Sequence, residues 1–427
     1  MPEAPLVRAV VVNHNGGHMT RACIDALRTT DWPADRLQIV LVDNASDDGL
    51  AEEVERDLPG IRVVRSATNR GFAGGCNLGF QDLGDTAYVA LVNNDATVTP
   101  GWLQPLVGAL ESDPATGAAC PKILLDGTFQ EVSVHVPTVR RAGRDVGIWV
   151  SGARVDGRDV WPRTQLVRGW WGIEPAEGTW PPGQWTHSDG TLLAPADSGG
   201  MVELRVAAPA PVTASFSTDA GTTAVDVGRE PTWVAIAATG TARTIMNNAG
   251  SFLTTDGHGA DRGYLEPDDG RFDAPEDVFA WCGAAVVLRR EYVDDVGPMD
   301  ERLFLYYEDL EHAWRGAKRW RYRYVPTSVV HHLHAASTGE GSALKMHHEE
   351  RNRLLVLTRH ATPGMAWRAV LRHPLVTASY ARRDVFSRLL HGRRPRPVLV
   401  WRRLRAYGAF LVRAPGMLRS RRRDRRT

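Results

Sequence analysis

Short apolar runs alternate with helical segments along the first hundred residues. The apolar runs cover residues 7–13, 37–42, 61–64 and 88–92, and helical spacing occurs between them, at 20–29 and 50–57. Strands that are apolar throughout, with helices between them, are typical of a parallel sheet that is covered on both faces. The pattern predicts a Rossmann-like α/β fold with a mostly parallel sheet, whose ligand binds at the carboxyl ends of the strands.

The pattern changes at about residue 127. From there to about residue 249 the chain is rich in Gly, Pro, Thr and Trp, and short runs such as 202–206 and 212–216 alternate apolar and polar residues. Such runs, separated by turn residues, predict an inserted antiparallel β-rich domain, a sandwich. We therefore expect four regions: one half of the α/β fold at 1–126, the insertion at 127–249, the second half at 250–360 and a basic, helical C-terminal region at 361–427.

The C-terminal region concentrates positive charge. From Arg372 onwards the sequence contains 17 arginines and only two acids, although the net charge of the whole chain is +1. Arginines interleaved with Val, Leu, Trp and Phe are typical of a basic amphipathic helix on an anionic membrane surface. We predict membrane contact through residues 372–427; nucleic acid is the rival partner, which we do not expect, and a solvated disordered end is the third interpretation.

Composition excludes several classes of protein. No apolar run approaches the roughly 18 residues that a membrane span needs, and the first residues lack the pattern of a secretory signal. The four cysteines are far apart without a C-x-x-C pair, which argues against a disulfide framework and a zinc knuckle. We expect a cytoplasmic protein that associates peripherally with the inner face of the plasma membrane.

Polar clusters follow the predicted strands. Asn13-His14-Asn15 follows the first strand, a run of polar residues at 43–49 follows the second, and Asn93-Asn94-Asp95 follows the fourth. Taken alone, Asn93-Asn94-Asp95 would be interpreted as a turn. It occurs together with three further motifs: V-D-N-A-S-D-D-G at 42–49, N-R-G-F-A-G-G-C-N-x-G at 69–79 and F-L-Y-Y-E-D at 304–309.

In their order and spacing, these motifs resemble the family-2 glycosyltransferases with the GT-A fold, above all the bacterial rhamnosyltransferase-like branch. The resemblance covers residues 5–125 and 245–360, not the insertion or the tail. It implies an inverting, metal-dependent enzyme that moves a sugar, rhamnose or a similar hexose, from a nucleotide-diphosphate donor to a glycan or lipid-linked acceptor in cell-envelope polysaccharide synthesis. The donor would bind in 1–126, and the acceptor and catalytic groups would lie in 250–360.

Two alternatives remain. A sugar nucleotidyltransferase has a related α/β fold, but it would usually begin with a G-x-G-T-R-like loop, which V-N-H-N-G-G is not. A non-catalytic glycan-binding protein could use the inserted domain, which contains seven of the 14 tryptophans. Aromatic rings stack on sugars, but small β domains also use tryptophans in their cores.

Candidate metal ligands follow from the chemistry and the resemblance. Charge on a departing diphosphate calls for a divalent cation, and Mg²⁺ or Mn²⁺ is typically held by one or two carboxylates together with substrate phosphates. By resemblance, N-N-D occupies the D-x-D position of the family, with Asp95 as the metal ligand. A histidine before a small-residue and serine turn completes the family's site, which selects His332, with His334 as the runner-up.

Candidate donor-binding residues lie in the motifs of the first half. Asp43 follows the strand where this fold contacts the nucleobase and ribose, and glycines near residue 71 allow the backbone to approach a ligand. Asn69 and Arg70 are placed to reach the diphosphate, and Asn93 is expected to contact the ribose or metal-bound water. The full predicted set is Asn13, Asn15, Asp43, Asn69, Arg70, Gly71, Gly74, Asn93 and Asn94.

Catalytic residues are predicted at Glu308 and Asp309. Acids in the first turn of a helix often only complement the helix dipole. In the matching family motif, however, the second acid is the general base that deprotonates the acceptor hydroxyl, which assigns this role to Asp309. Trp281, Trp314 and Arg315 correspond to positions near the acceptor in relatives, although Trp281 could equally belong to the core.

Overall fold

The structure, a computed structural model, describes residues 3–141, 143–176, 178–196, 200–238, 241–333, 342–392 and 394–424. The chain divides into two compact units. The first comprises Met1–Leu124, Met246–Tyr264 and Asp269–Thr427, and the second comprises Leu125–Ile245 and Leu265–Asp268. The predicted combination of an α/β fold with a β-rich insertion is confirmed.

The first unit begins with alternating strands and helices, as the apolar pattern predicts. They are β1 Val7–Asn13, α1 Gly17–Arg28, β2 Leu37–Asp43, α2 Leu50–Asp57, β3 Arg62–Arg65, α3 Gly71–Gly79, β4 Tyr88–Val92, β5 Ala96–Val98, α4 Leu103–Ser112 and β6 Thr116–Leu125. The strands β1, β2 and β4 are almost entirely buried, because helices cover both faces of the sheet.

The β-rich unit follows β6. Its strands are β7 Phe129–His135, β8 Val139–Arg141, β9 Arg144–Val146, β10 Trp149–Val155, β11 Arg158–Asp159, β12 Gln165–Trp170, β13 Gln184–Pro195, β14 Gly200–Ala207, β15 Val212–Thr218, β16 Gly221–Val227 and β17 Thr232–Ala238. All described pairings among these strands are antiparallel. Two groups of strands, joined where Trp149 pairs with Trp185, enclose one apolar core.

The chain then returns to the first unit and ends in long helices. The elements are β18 Met246–Asn248, β19 Ser251–Leu253, β20 Gly259–Asp261, β21 Glu276–Val278, β22 Ala285–Arg289, α5 Arg290–Val296, α6 Glu308–Gly316, β23 Arg321–His332, α7 Ala343–His360, α8 Pro363–Ala381, α9 Ser387–Leu390 and α10 Val398–Asp424. None of the helices described in the structure is both long and apolar enough to cross a membrane.

The bounds of the β-rich unit differ from the predicted 127–249. Residues 246–248 form β18, which pairs with β6 of the first unit. Leu265–Asp268 joins the β-rich unit instead, because Ile245 forms a bridge with Pro267 and the Asp268 amide donates to the Thr244 carbonyl. Pairing of such short segments leaves no periodic pattern in the sequence.

The main sheet is mixed. Its order is β21-β23-β6-β22-β4-β1-β2-β3. The four strands β4, β1, β2 and β3 are parallel, with Asn13 opposite Asp43 in the β1–β2 pair. The strands contributed after the β-rich unit add antiparallel pairs, including β22 with β4 and β23 with β5. The carboxyl ends of the parallel strands therefore form one edge, where the polar motifs meet.

The tryptophans of the β-rich unit have packing roles. Trp149 and Trp185 are at most 2% exposed and contact each other edge to face, with ring centroids 5.1 Å apart. Trp180 contacts both rings, and the Trp171 ring lies against His187 and Arg144. These contacts favour the core interpretation over an exposed sugar-stacking face.

Helix α3 lies unusually close to strand β1, and glycine makes the approach possible. A Cβ built on Gly75 would overlap the Val12 side chain, whereas one built on Gly108, in the exposed face of α4, meets no atom within 4 Å. We predict that Gly75→Ala lowers the free energy of unfolding by about 1–3 kcal/mol through overpacking. Gly108→Ala should raise it by up to about 1 kcal/mol, because alanine is the better helix former.

Urea unfolding of the two variants and the wild type checks this pair of predictions. The substitution is the same in both, so intrinsic helix propensity is controlled. Equal changes in the unfolding midpoint for both variants would contradict the close approach of α3 to β1.

Candidate active site

A cavity of about 430 Å³ lies at the carboxyl edge of the parallel strands. Residues from all four sequence motifs reach it, including Asn69, Asn93 and Asp95 from the first half of the fold and Asp309 from the second. His332 lines the cavity as well. The motifs that the sequence separates by more than 200 positions are thus collected around one space within the first unit.

Asp95 and His332 are in direct contact. Strand β23 pairs with β5 so that His332 lies opposite Ala96, the residue after Asp95. The side chains of His332 and Asp95 are 8% and 6% exposed, and Nε2 of His332 lies 3.0 Å from Oδ1 of Asp95. The other ring nitrogen, Nδ1, is 2.9 Å from Oδ1 of buried Asn247. No motif in the sequence indicated Asn247. A histidine held in this way at Nδ1 presents Nε2 as the ligand atom.

The pair fits a divalent cation. Adjacent ligands of an octahedral ion with bonds of about 2.1 Å lie about 3 Å apart, as the Asp95 and His332 atoms do. Among the residues that the structure describes, no three His, Cys, Asp or Glu side chains converge to form a larger cluster. The runner-up ligand, His334, lies outside the described residues. A cation bound here would take its further ligands from substrate oxygens and water.

Glu308 and Asp309 begin helix α6 and line the same cavity. Asp309 Oδ2 accepts a hydrogen bond from the Gly283 amide at 2.9 Å, and Oδ1 accepts one from the Leu310 amide at 2.7 Å. Glu308 is 5% exposed, and its Oε2 has no hydrogen-bond partner among the described residues. The two neighbouring carboxyl groups therefore lie in different environments.

These environments separate the protonation of the two acids. Burial, reinforced by the negative charge of Asp309, raises the pKa of Glu308 to about 8. Burial also raises the pKa of Asp309, but the backbone N–H groups of Gly283 and Leu310 favour its ionised form. With its pKa at about 8, Glu308 is the neutral acid at neutral pH, whereas the two backbone hydrogen bonds favour the carboxylate form of Asp309.

The backbone before α6 has an unusual conformation. Phe304, Tyr306 and Tyr307 have φ values of 68°, 66° and 71°, in the left-handed region that bulky side chains rarely adopt. Each such residue costs about 1–3 kcal/mol and persists only when its surroundings hold it. The segment that delivers Asp309 is therefore strained.

Four of the predicted donor residues line the cavity, namely Asn69, Gly71, Asn93 and Asn94. Asn44, which the sequence interpretation missed, also lines it. Its Oδ1 accepts from the Arg70 amide and its Nδ2 donates to the Gly71 carbonyl, at 2.9 and 3.0 Å. Asn44 stands beside Asp43 in the motif at 42–49. This position could have identified it as a candidate site residue.

Asn13, Asn15 and Asp43 hold the surrounding loops together instead. Asn13 is fully buried and donates to Ser46 while accepting from Thr20, at 3.0 and 2.7 Å. Asn15 accepts from the amide of Asp47, and Asp43 accepts from the amide of Ser46. None of the three is among the residues that line the cavity.

Arg70 and Gly74 also lie away from the cavity lining. The guanidinium of Arg70 is engaged by Glu301, with Nη2 at 2.7 and 2.9 Å from its two carboxylate oxygens. Gly74 packs against the Arg70 side chain, where a Cβ would overlap. Lys345, at the start of α7, does line the cavity, and it is the one lysine or arginine among the described lining residues.

The predicted acceptor residues require a correction. Trp281 is 0% exposed and donates to the hydroxyl of Tyr292 at 3.0 Å, so it belongs to the core. Trp314 stacks on His360, and Arg315 donates to two backbone carbonyls at 2.8 and 2.9 Å. None of these three predicted residues lines the cavity. Asp261, which the sequence did not indicate, does line it, and its carboxylate accepts from Asn248 and Ser251.

A mixed α/β sheet with a polar cavity at the ends of its parallel strands is typical of nucleotide-binding α/β proteins. The sequence model described as "Glycosyl transferase family 2" matches residues 9–141. This region of the chain is therefore similar to the family 2 glycosyl transferases. The GT-A class of fold, expected from the motifs, is confirmed.

Two curated proteins, from two strains of Mycobacterium tuberculosis, are similar to this chain. Both are described as N-acetylglucosaminyl-diphospho-decaprenol L-rhamnosyltransferase, and each is 37% identical over 109 residues. The alignment covers 25% of this chain and 34% of each relative. The chain thus spans about a third of the length of the curated relatives it matches.

Solved structures are similar at low identity. GalNAc-T7 with UDP, GalNAc and Mn²⁺ has a TM-score of 0.48 and 15% identity, over 84% of this chain and 48% of that one. The mannosyltransferase PcManGT of Pyrobaculum calidifontis, in complex with GDP-Man and Mn²⁺, has a TM-score of 0.39 and 14% identity, over 99% and 76%.

The contact between Asp95 and His332 predicts that metal binding needs both side chains. We expect Asp95→Asn and His332→Ala each to weaken Mn²⁺ binding, in the presence of UDP, GDP or dTDP, at least tenfold, because each removes one protein ligand. Asn247→Ala should weaken it about 10-fold by releasing the ring of His332.

Electron paramagnetic resonance of free Mn²⁺ gives the affinity directly. Asp85→Asn, which removes an exposed acid outside the cavity lining, serves as the control and should bind as the wild type does. Undiminished Mn²⁺ binding by His332→Ala would contradict the assignment.

Proposed function

We propose that this protein is an inverting, metal-dependent glycosyltransferase that uses a nucleotide-diphosphate sugar. One observation carries the proposal. The half-buried carboxyl group of Asp309 lines the same cavity as the contacting side chains of Asp95 and His332. A group that can take a proton and a pair that can hold a cation on a diphosphate are the two elements that this transfer needs.

The reaction balances with the groups present. The acceptor hydroxyl oxygen attacks the anomeric carbon and forms the new glycosidic bond. The bond from that carbon to the diphosphate oxygen breaks, and its electron pair stays with the diphosphate. Asp309 takes the proton of the hydroxyl. Attack from the face opposite to the leaving diphosphate inverts the configuration of the anomeric carbon.

The environments of the two acids support Asp309 as the base. Only an ionised carboxylate can accept the proton, and two backbone amides favour that form of Asp309. Glu308, with its pKa raised to about 8, remains protonated at neutral pH. A neutral Glu308 limits the repulsion that a second negative charge would exert on Asp309.

The charge of the cavity supports a requirement for a cation. Among the described residues that line it, one is a lysine, Lys345, and none is an arginine. Five are acids, namely Asp95, Asp261, Glu308, Asp309 and Glu349. An anionic diphosphate would be repelled by such a surface. A divalent cation, held by Asp95 and His332, would supply charge neutralisation for the departing diphosphate. We propose that Lys345 adds to it.

The substrates follow from the relatives as proposals. The similar Mycobacterium tuberculosis proteins are described as transferring L-rhamnose to a decaprenol-linked acceptor. We propose rhamnose or a similar hexose as the sugar and a lipid-linked glycan of the cell envelope as the acceptor. Residues 1–126 would bind the donor, and residues 250–360 would provide the acceptor side and the base.

Removal of the base tests the reaction. We predict that Asp309→Asn lowers kcat by about 10²–10⁴-fold, the usual contribution of general base catalysis, and leaves nucleotide binding with Mn²⁺ unchanged. Release of nucleotide diphosphate and sugar transfer, screened over UDP-, GDP- and dTDP-sugars, measure the effect. In the wild type, the acid limb of the rate should lie above the usual range of Asp, because burial raises the pKa of Asp309.

Glu308→Gln provides a matched control for Asp309→Asn, since it changes the neighbouring acid by the same chemistry. It should retain most of the rate, because Glu308 is already neutral. Transfer by Asp309→Asn at the wild-type rate would remove Asp309 as the base.

We further propose that the protein acts at an anionic membrane surface. Helix α8 presents Trp367, Leu371 and Leu375, spaced four residues apart and 64%, 58% and 71% exposed. Residues on the opposite side of the helix, such as His373, are buried. Exposed apolar side chains in one line, with Arg372 on the same helix, match the interface of an anionic bilayer.

This proposal differs from the predicted contact along residues 372–427, because Trp367 and Leu371 precede that range. The end of α10 is held against the protein, because Arg359, 4% exposed, forms an ion pair with Asp424 at 2.8 Å and Arg421 donates to the Thr358 carbonyl at 2.9 Å. Ser420 accepts from Arg302. The side chains of this segment that make these contacts point to the protein.

Replacement of the apolar line tests the membrane contact. We predict that the triple variant Trp367→Ser, Leu371→Ser, Leu375→Ser loses most flotation with vesicles containing 30% phosphatidylglycerol. Its control is Val167→Ser, Ile173→Ser, Met201→Ser, which removes three exposed apolar side chains of the β-rich unit and should float as the wild type does. Equal flotation of both variants, or a dimer without vesicles that the α8 variant abolishes, would overturn the proposal.

A further inference from the structure

The strained segment Leu303–Tyr307 is held by one helix. Asn352, in α7, is fully buried, and its Nδ2 lies 2.8, 2.8 and 2.7 Å from the carbonyl oxygens of Leu303, Leu305 and Tyr306. The side-chain amide nitrogen has two hydrogens, so its two hydrogens are shared among the three carbonyl oxygens. The left-handed conformation of the segment directs these carbonyl groups toward α7.

The neighbouring arginine fixes the direction of this amide. Arg351 Nε lies 2.8 Å from Asn352 Oδ1, and Arg351 Nη2 lies 2.7 Å from the Leu303 carbonyl. A guanidinium can only donate, so the atom of Asn352 that faces it must be the oxygen. The nitrogen of Asn352 must therefore face the segment, and the two side chains act as one unit.

Other contacts connect the segment to further elements that line the cavity. The Phe304 ring stacks on His348 of α7, with centroids 5.2 Å apart, and its carbonyl accepts from the Ala73 amide. The Tyr307 hydroxyl accepts from the Gly259 amide at 3.1 Å. Since Asp309 follows two residues after Tyr307, the orientation of its carboxylate depends on the conformation of this segment.

We propose that Asn352, oriented by Arg351, is a positioning residue that holds the segment Leu303–Tyr307 in its left-handed conformation and so directs the Asp309 carboxylate into the cavity. Neither side chain lines the cavity, so both act through the backbone. The role rests on the proposed transfer reaction for its effect on rate, but the hold on the segment can be measured without activity.

The first measurement is amide hydrogen exchange of the full chain. Asn352→Asp keeps the size of the side chain and replaces both donor hydrogens by an acceptor that faces three carbonyls. We expect amides of residues 303–310 to exchange faster in this variant, and binding of UDP, GDP or dTDP with Mn²⁺ to stay within threefold of the wild type. The control Thr358→Ala, in the same helix, removes a hydroxyl that donates only to the Leu354 carbonyl and should change neither.

The second measurement is the division of the effect between kcat and KM. A misplacement of a catalytic group by about 1 Å can cost about 100-fold in rate. We expect Asn352→Asp to lower kcat by about 100-fold with little change in the KM of the donor, because the donor-side residues belong to other elements. A purely structural loss would lower the fraction of active protein and nucleotide binding together.

Arg351→Lys keeps the proposal testable if Asn352→Asp does not fold. Lysine preserves the charge but cannot reach both Asn352 and the Leu303 carbonyl with separate nitrogens, so kcat should fall about tenfold. Wild-type kcat in either folded variant would overturn the positioning role. Wild-type protein that binds nucleotide with Mn²⁺ but transfers no sugar would instead overturn the proposed function, and unchanged exchange of 303–310 in both variants would overturn the hold itself.

Discussion

The antiparallel pairing of β5 with β23 brings together the two proposed metal ligands, Asp95 and His332. It places His332 opposite Ala96, and the Leu333 amide donates to the Asp95 carbonyl at 2.9 Å. The register matters because a slip by one residue would turn His332 to the other face of the sheet. The Ser328 hydroxyl, bonded to the Trp102 carbonyl, helps to fix that register. One strand pair thus joins the two halves of the site.

Electrostatics supports the proposed requirement for a cation in the cavity. Acids outnumber basic side chains among the described lining residues, and Arg70, expected near the diphosphate, is engaged by Glu301. A buried charge is tolerated only when it is paired or neutralised. Glu308 is neutralised by its raised pKa, Asp309 is supported by backbone amides, and Asp95 contacts His332. If the proposed donor binds here, its diphosphate would therefore gain most from a site that already holds the proposed cation.

The sequence could predict which residues lie at the carboxyl ends of the strands, but it could not predict the direction in which each of their side chains points. Asn93, Asn94 and Asp95 reach the cavity because the carboxyl ends of parallel strands share one edge. Asn13 also ends a strand, but it turns to neighbouring loops, which no local pattern reports. The core position of Trp281 depends on a contact with Tyr292 from another element. The roles proposed for Asp309 and His332 stay predictions.

Helix α7 shows how buried polar side chains can specify the conformation of a neighbouring segment. Arg351, Asn352 and Arg359 are buried, which costs free energy unless each is paired. The first two bind the strained segment before α6, and Arg359 pairs with Glu311 within α6 at 2.8 Å. Hydrophobic residues at these three positions could make the helix pack as well, but they could not choose among conformations of the segment. Directional hydrogen bonds can make this choice. Helix α7, which contributes no predicted catalytic residue, therefore limits where the proposed base, Asp309, lies.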